Sequence, residues 1–441
     1  MMRRRPPDRK RALEITMLRP TMLLAALATL ALPAAAQGPC CDPWVDLGQS
    51  LAGASGAPTL EATGSLADAT QLVFELDDAA TAAPAWLVAG LTQISTAFKG
   101  GIMVPAPQVF VPLVTDGAGH LSLVGATPTG LPQGTTLFTQ FWVQDAGGPK
   151  GYAASNAQLG VTPPPPPASN FPPDWINGSN CGGDPPIQVT QYGPNTWILR
   201  QNKCTNFEGP FMFLLFGQDK ALLLDTGAPG IDLFNTVNPI VQAWATAHGK
   251  VNYPVVVAHT HGHGDHVAND SEFTGKPNVT VVGTSQTAVA NFFGIAAWPT
   301  QIVQYQLGGR TLDIIPTPGH QAAHITTYDR ETCLLFTGDM LYPGHLFIGG
   351  AVSQQNFAKY KASAQRMVDY MADKPIAWVF GNHVESMNIP FQYYPYGTPS
   401  QPNERDPYLT RAHLLELNAA VQAMAVPVTE AHADFRIEPS G

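Results

Sequence analysis

The segment Ala258-His259-Thr260-His261-Gly262-His263-Gly264-Asp265-His266 places three histidines and an aspartate, His261, His263, Asp265 and His266, at alternating and adjacent positions of one short stretch. The apolar run Val255-Val256-Val257 precedes it, which puts the cluster in the loop leaving a buried strand, where a rigid scaffold and accessible side chains coexist. The intervening glycines let the backbone turn without steric cost, so the side chains can point in two directions. Imidazole nitrogen and carboxylate oxygen are donors that zinc favours in near-tetrahedral sites, and a catalytic zinc keeps one position for water. Such a loop can supply two metal ions at once, but four donors cannot complete both sites. Further donors are expected at other strand ends, and three are found: His320 in Thr317-Pro318-Gly319-His320, Asp339 in Thr337-Gly338-Asp339, and His383 in Gly381-Asn382-His383. Each follows an expected strand and has a glycine or proline shortly before it. A random scatter of the 12 histidines would rarely do this.

The elements that must position these residues lie in about 170–441, where strand-like and helix-like segments alternate. Expected strands are 196–199, 210–216, 220–224, 254–258, 280–283, 311–315, 333–337 and 376–381; expected helices are 230–247, 284–293, 356–371 and 408–424. The last two helices show apolar spacing near 3.6, as in Tyr360, Met367 and Tyr370, then Leu409, Leu414, Leu417 and Val421. This is a layered α/β domain. The five prolines Pro163 to Pro167 favour extended polyproline II, so 163–169 is read as a semi-rigid linker. Upstream, 44–162 contains short runs at 71–76, 86–90, 109–114, 120–124 and 136–144 with turn signals between them, the pattern of a small β-sandwich. Nothing there carries chemistry: His120 stands alone and is read as a surface residue, and binding of a surface, a carbohydrate or a protein is the role left to that domain.

Composition narrows the classes. Of 441 residues 44% are hydrophobic and 13% charged, and 23 Lys plus Arg against 33 Asp plus Glu give a net charge of -10, which leaves no footprint for a phosphate backbone. Nucleic acid is a poor candidate partner. Residues 1–36 read as a secretory signal peptide, with a basic lead, the apolar run 22–32 and the small triplet Ala34-Ala35-Ala36 before Gln37. The run is short of the ~20 apolar residues a spanning helix needs, and no later stretch approaches that length. Export to the periplasm or the extracellular space is expected, and an oxidising compartment permits disulfides. Of the five cysteines, Cys181 and Cys204 are expected to pair, Cys40 and Cys41 bridge elsewhere or not at all, and Cys333 reads as a buried small hydrophobe.

Together the loop cluster and its distant donors resemble the metallo-β-lactamase superfamily, whose pattern is H-x-H-x-D-H followed by a distant His, an Asp and a final His. The similarity runs from Asp225 in Leu224-Asp225-Thr226-Gly227 to His383. It implies an αββα sandwich with metals at one edge of its two sheets, preceded here by the all-β domain. By the resemblance His261, His263 and His320 hold one zinc, Asp265, His266 and His383 hold a second, and Asp339 bridges them. Asp225 matches an early Asp that supports the metal loop and is not a ligand. Iron or manganese also suit such donors. His248, His345 and His413 are read as satisfied structural residues, and His324 either as one of these or as a partner that orients a ligand.

The chemistry implied is metal-dependent hydrolysis. Two zinc ions ~3.5–4 Å apart lower the pKa of a shared water, and the bridging hydroxide attacks a carbonyl. Asp265 also orients that hydroxide or relays its proton. Tyr342, three residues beyond Asp339, has a spacing similar to that of a substrate-contacting tyrosine in the superfamily's lactonases; it reads equally well as a packed aromatic. The bridging Asp339 resembles the glyoxalase II type of thioester hydrolase and the lactonases, whereas class B β-lactamases generally carry Cys or Ser there. The Gly-rich basic segment that binds glutathione in glyoxalase II is not recognisable in Tyr342-Pro343-Gly344-His345-Leu346. The expected substrate is thus a small molecule with an ester, lactone or thioester bond and no glutathione dependence. A β-lactam amide is the alternative, and a non-catalytic zinc-containing binding or attachment protein is a third reading. A Gly-x-Ser-x-Gly elbow and a GxGxxG loop are both absent, which disfavours a serine hydrolase and a dinucleotide fold.

Overall fold

Strand Phe211–Phe216 shows how the domain is layered. Its six residues are all apolar and all buried. Because strand side chains alternate, Phe211, Phe213 and Leu215 enter one buried cluster while Met212, Leu214 and Phe216 enter another. A strand buried on both faces needs a layer on each side. The computed structural model of the chain describes residues 44–67, 70–128, 130–132, 134–162, 171–348 and 354–439. The leader expected over 1–36 and the whole proline linker 163–169 fall outside the described residues.

Two six-stranded sheets form the centre of the downstream region. The first runs Ile187–Gly193, Thr196–Gln201, Phe211–Phe216, Ala221–Leu224, Val255–Ala258, Val279–Val281, and the second Val303–Gln306, Thr311–Pro316, Ile325–Asp329, Leu334–Gly338, Trp378–Gly381, Tyr408–Leu409. Between them lie Phe213, Leu222, Val256, Ile314, Phe336 and Phe380. Helix Leu233–Ala247 covers the outer face of the first sheet through Leu233, Val237, Val241 and Trp244. Helices Gln354–Met371 and Arg411–Ala423 cover the second through Tyr360, Met367, Leu414 and Leu417. The result is an αββα sandwich, as the resemblance implies.

The sheet directions bring the site together. Ala221–Leu224 and Val255–Ala258 are parallel with Leu224 opposite Ala258, so Asp225 and the histidine-rich loop leave the first sheet side by side. Leu334–Gly338 and Trp378–Gly381 are parallel with Gly338 opposite Gly381, so Asp339 and His383 leave the second sheet side by side. Thr311–Pro316 points the same way, being separated from Leu334–Gly338 by one antiparallel strand, and delivers His320. Ligands in open α/β sheets gather beyond the carboxyl ends of such strands.

The expected strands of this region are all present, with each end within two residues of its expected place. Three helices start later than expected, one of them, Gln286–Phe293, by two residues behind its cap Ser285. Asp232 caps the first by accepting from the Asn235 amide, so helix begins at Leu233 rather than at 230. Tyr408–Leu409 pairs with Phe380 and Val379 as strand, and Thr410 caps a helix that begins only at Arg411. Strands Ile187–Gly193, Val303–Gln306 and Ile325–Asp329 were not expected.

Residues 44–162 are all-β among the described residues. One sheet runs Trp44–Gly48, Ala157–Val161, Thr136–Gln144, Pro84–Gly90, Val109–Val114, with Tyr152–Ala154 beside Thr136–Gln144; another runs Thr59–Thr63, Gln71–Asp77, Leu121–Ala126. Their facing sides share one core of Trp44, Phe74, Leu76, Leu87, Phe141 and Val143. The Gln71 amide donates to the Ala372 carbonyl at 3.1 Å, joining this sandwich to the end of helix Gln354–Met371. Cys181 and Cys204 form a disulfide. Cys333 is buried and disulfide-bonded, which corrects its reading as a plain buried hydrophobe.

Candidate metal centre

Seven side chains converge beyond the strand ends as two groups of four that share Asp339: His261, His263, His320 and Asp339, then Asp265, His266, Asp339 and His383, with the donor atoms of each group within 4.8 Å of one another. His261 Nε2 lies 2.9 Å and His320 Nε2 3.0 Å from His263 Nδ1. Asp265 Oδ2 lies 3.0 Å from His266 Nε2 and 3.1 Å from His383 Nε2. Asp339 spans both groups: Oδ2 is 3.4 Å from His320 Nε2, 3.6 Å from His261 Nε2 and 3.5 Å from His266 Nε2, while Oδ1 is 3.4 Å from His383 Nε2. His263 is exposed and Asp265 half-buried, whereas the other five are buried, so the centre opens on the side of the glycine-rich loop.

Four of the five imidazoles are turned by what their other nitrogen touches. His320 Nδ1 donates to the Phe347 carbonyl at 2.7 Å and His383 Nδ1 to the Glu208 carbonyl at 3.2 Å. His266 Nδ1 donates to Asp225 Oδ2 at 3.2 Å. His261 Nδ1 is 3.2 Å from Thr260 Oγ1, whose hydroxyl donates to Asp225 Oδ2 at 2.8 Å. In all four residues Nε2 therefore faces the centre, the arrangement that orients ligating histidines. Asp225 also accepts from the Thr260 amide at 2.8 Å and from Asn382 Nδ2 at 2.7 Å, which ties the loop of the first sheet to the end of the second. It is fully buried and in the left-handed region at φ 69. Residue types gave no sign of Phe347 and Glu208, because they act through backbone carbonyls. Asn382 and Thr260 adjoin ligands in sequence, a signal that could have found them.

The electrostatics divide the groups. Burial holds the His261 imidazole well below its usual range, with the neighbouring His266 adding to the effect. Burial lowers His263 and His320 as well. In His266 and His383 burial also opposes charge, but the carboxylates around them, Asp265 and Asp339 foremost, carry both well above the usual imidazole range. Burial pushes the Asp265 and Asp339 carboxyls up, and the imidazoles of His266 and His383 outweigh it, holding both below the usual range.

These residues fit a pair of metal ions. Asp339 Oδ1 is buried and makes no hydrogen bond, its near neighbour being His383 Nε2 at 3.4 Å, although a buried carboxylate oxygen is costly to leave so weakly satisfied. Nitrogen and carboxylate donors alone suit zinc, and also iron or manganese.

Tyr342 takes a different place from a substrate contact. Its ring is buried against the His383 imidazole at 5.4 Å, and its hydroxyl donates to the His345 carbonyl. His324 is buried beside the centre, its Nε2 accepting from the Asp339 amide at 3.2 Å. His248 bonds the Trp244 carbonyl, His413 caps a helix, and His345 lies between Glu438 and the Tyr394 carbonyl. His120 is exposed between Asp77 and Glu75.

Residues 205–383 match the family described as the Metallo-beta-lactamase superfamily. A hydroxyacylglutathione hydrolase of Rhizobium meliloti is 34% identical over 95 residues, which cover 21% of this chain and 37% of that protein. A beta-lactamase-like protein 2 homolog of Caenorhabditis elegans is 25% identical over 174 residues, covering 38% of this chain and 54% of that one. The chain thus spans between about a third and about half of these relatives' lengths. Among solved structures, a metallo-beta-lactamase from Pontibacter korlensis shows 15% identity and a TM-score of 0.34, covering 54% of this chain and 100% of that one.

Proposed function

We propose that the protein is an exported binuclear zinc hydrolase that cleaves an ester, lactone or thioester. The observation that carries this reading is the sharing of Asp339 by two four-donor groups on one open edge. Bound there, the ions would supply Lewis acidity at a carbonyl and acidify water at neutral pH. His261, His263 and His320 would hold one ion, Asp265, His266 and His383 the other, with Asp339 between.

The remaining steps belong to the chain. Asp265, half-buried at the open side, is the carboxylate placed to take and pass on a proton from the attacking water. Asp225 fixes the loop through Thr260 and His266, and Tyr342 packs the His383 ring, so we assign Tyr342 a positioning role. Acyl thioesters are favoured by the relatives, which include an acyl-coenzyme A thioesterase of Gallus gallus, 32% identical over 75 residues that cover 16% of this chain and 26% of that protein. Export is supported by the signal-like leader and by the Cys181–Cys204 disulfide. No helix among the described residues is long and apolar enough to cross a membrane.

The test is metal content and turnover of a chromogenic thioester, lactone, ester and cephalosporin, before and after chelation. Two zinc ions per chain with chelator-sensitive turnover of the first three support the reading. Preferred turnover of the cephalosporin would move the assignment to β-lactam hydrolysis. Full metal without turnover of any of them would leave a zinc-containing binding protein.

A further inference from the structure

The rim of the metal centre carries three aromatic rings that metal binding does not require. The Tyr396 ring meets Phe207 edge-on at 5.5 Å and Phe347 edge-on at 5.5 Å. Tyr396 is 59% exposed and Phe207 36%, and none of the three rings belongs to the buried clusters of the sheets. Scattered exposed apolar residues are ordinary, but rings in mutual contact beside a polar centre form a patch of the kind that meets a ligand.

The strip is tied to both halves of the centre. Phe347 gives its carbonyl to His320 at one end. At the other, Glu208, next in sequence to Phe207, gives its carbonyl to His383. The Tyr396 hydroxyl donates to the Glu208 carboxylate at 2.8 Å, which holds the middle ring in one orientation. Below, the buried Lys203 ammonium donates to the Phe207 carbonyl at 3.0 Å and to the Glu208 carbonyl at 3.3 Å.

We propose that Phe207, Tyr396 and Phe347 form a ledge that holds an apolar acyl group while the adjoining carbonyl lies over the metal centre. This rests on the hydrolase reading above and adds the class of acyl group to it. Rings held by packing and by a phenol–carboxylate bond lose little freedom on binding, so an alkyl chain laid across them gains the burial of its methylenes at small entropic cost.

The test uses the zinc-loaded full chain and two series: p-nitrophenyl acetate, butanoate and hexanoate for turnover, and acetate against hexanoate for binding by calorimetry. In the wild type kcat/KM rises roughly tenfold from acetate to hexanoate, and hexanoate binds tighter than acetate by a similar factor, as partial burial of four methylenes requires. Phe207→Ala with Tyr396→Ala flattens both series, acting through KM, and leaves metal content unchanged. Hexanoate binding no tighter than acetate, or a preference unchanged in the double variant, overturns the ledge. If the wild type cleaves no ester but binds hexanoate in a Tyr396-dependent way, the ledge stands and the hydrolase reading falls.

Discussion

The backbone N–H of Asp339 donates to His324 Nε2 at 3.2 Å, and His324 Nδ1 lies 2.8 Å from Thr317 Oγ1. A neutral imidazole has one donor and one acceptor, so Nδ1 carries the proton and donates to the threonine. Burial, with the nearby His320 imidazole, keeps His324 neutral by holding it well below its usual range. The residue thus anchors the backbone of the one carboxylate common to both donor groups. His324→Ala is expected to leave the Asp339 amide unpaired and to lower metal affinity ~10–100-fold. Metal content after dialysis against graded chelator measures it, and retention equal to wild type would reduce His324 to packing.

Gly338 makes the same turn from the other side. Its φ of +53 lies in the left-handed region, and a Cβ there would sit 2.5 Å from His324 Nε2 and 2.9 Å from Thr260 Cβ. Gly338→Ala is expected to displace Asp339 and abolish binding of metal. Gly294 is the control: its φ is +77, but nothing lies within 4 Å of its Cβ. Gly294→Ala should cost only the left-handed penalty of ~1–2 kcal/mol, seen as a lower Tm with metal retained. Equal metal loss in the two variants would show that backbone strain alone is responsible.

The two donor groups differ in how they compete with protons. A ligating histidine must be neutral at the nitrogen that binds. Without metal, His266 and His383 are raised well above the usual range by Asp265 and Asp339, so they keep their protons through neutrality and metal must displace them. His261 and His320 are lowered, chiefly by burial, and stay neutral as the pH falls. Acidification from neutrality should therefore empty the group of Asp265, His266 and His383 first. Cobalt-substituted protein titrated downward in pH would show metal content falling in two steps, and a single step would contradict the division.

The convergence of the candidate ligand residues was legible because each stands where an apolar run ends and a glycine or proline turns the chain, as at Val257, Thr317 and Gly381. Their orientation was not: the carbonyls of Phe347 and Glu208 carry no residue-type signal and become neighbours of His320 and His383 only through folding. Fully buried strands such as Phe211–Phe216 stood out as unbroken apolar runs. Ile325–Asp329 did not, since Thr326 and Thr327 look like loop residues although both are buried. Tyr408 and Leu409 fitted a helical stripe, yet pairing with Phe380 and Val379 took them into the sheet, and Thr410 was the overlooked cap. Tyr342 could be read as contact or packing from spacing alone, and its buried hydroxyl donating to the His345 carbonyl is a packing arrangement.

The two sheets are also held together far from the metal centre, which separates stability from chemistry. Arg310 is 1% exposed and Asp329 fully buried. The guanidinium donates to Asp329 through Nε at 3.0 Å and Nη2 at 2.6 Å, and crosses to the first sheet to reach the Asn195 carbonyl at 2.6 Å, the Phe216 carbonyl at 3.1 Å and Thr196 Oγ1 at 2.8 Å. Arg310→Ala would leave the buried Asp329 carboxylate without its counter-charge and take one donor from each of two carbonyls, so a loss of ~3–5 kcal/mol is expected in urea unfolding. Replacing both partners, Arg310→Met with Asp329→Leu, removes the uncompensated charge and should recover part of that loss, though the Thr332 hydroxyl and the two carbonyls each still lack one bond. Metal per folded chain should match wild type in both variants, because no ligand or ligand-orienting residue touches this pair. A double variant as unstable as Arg310→Ala would mean that the crossing bonds to Asn195 and Phe216, rather than the unpaired Asp329 charge, account for the loss.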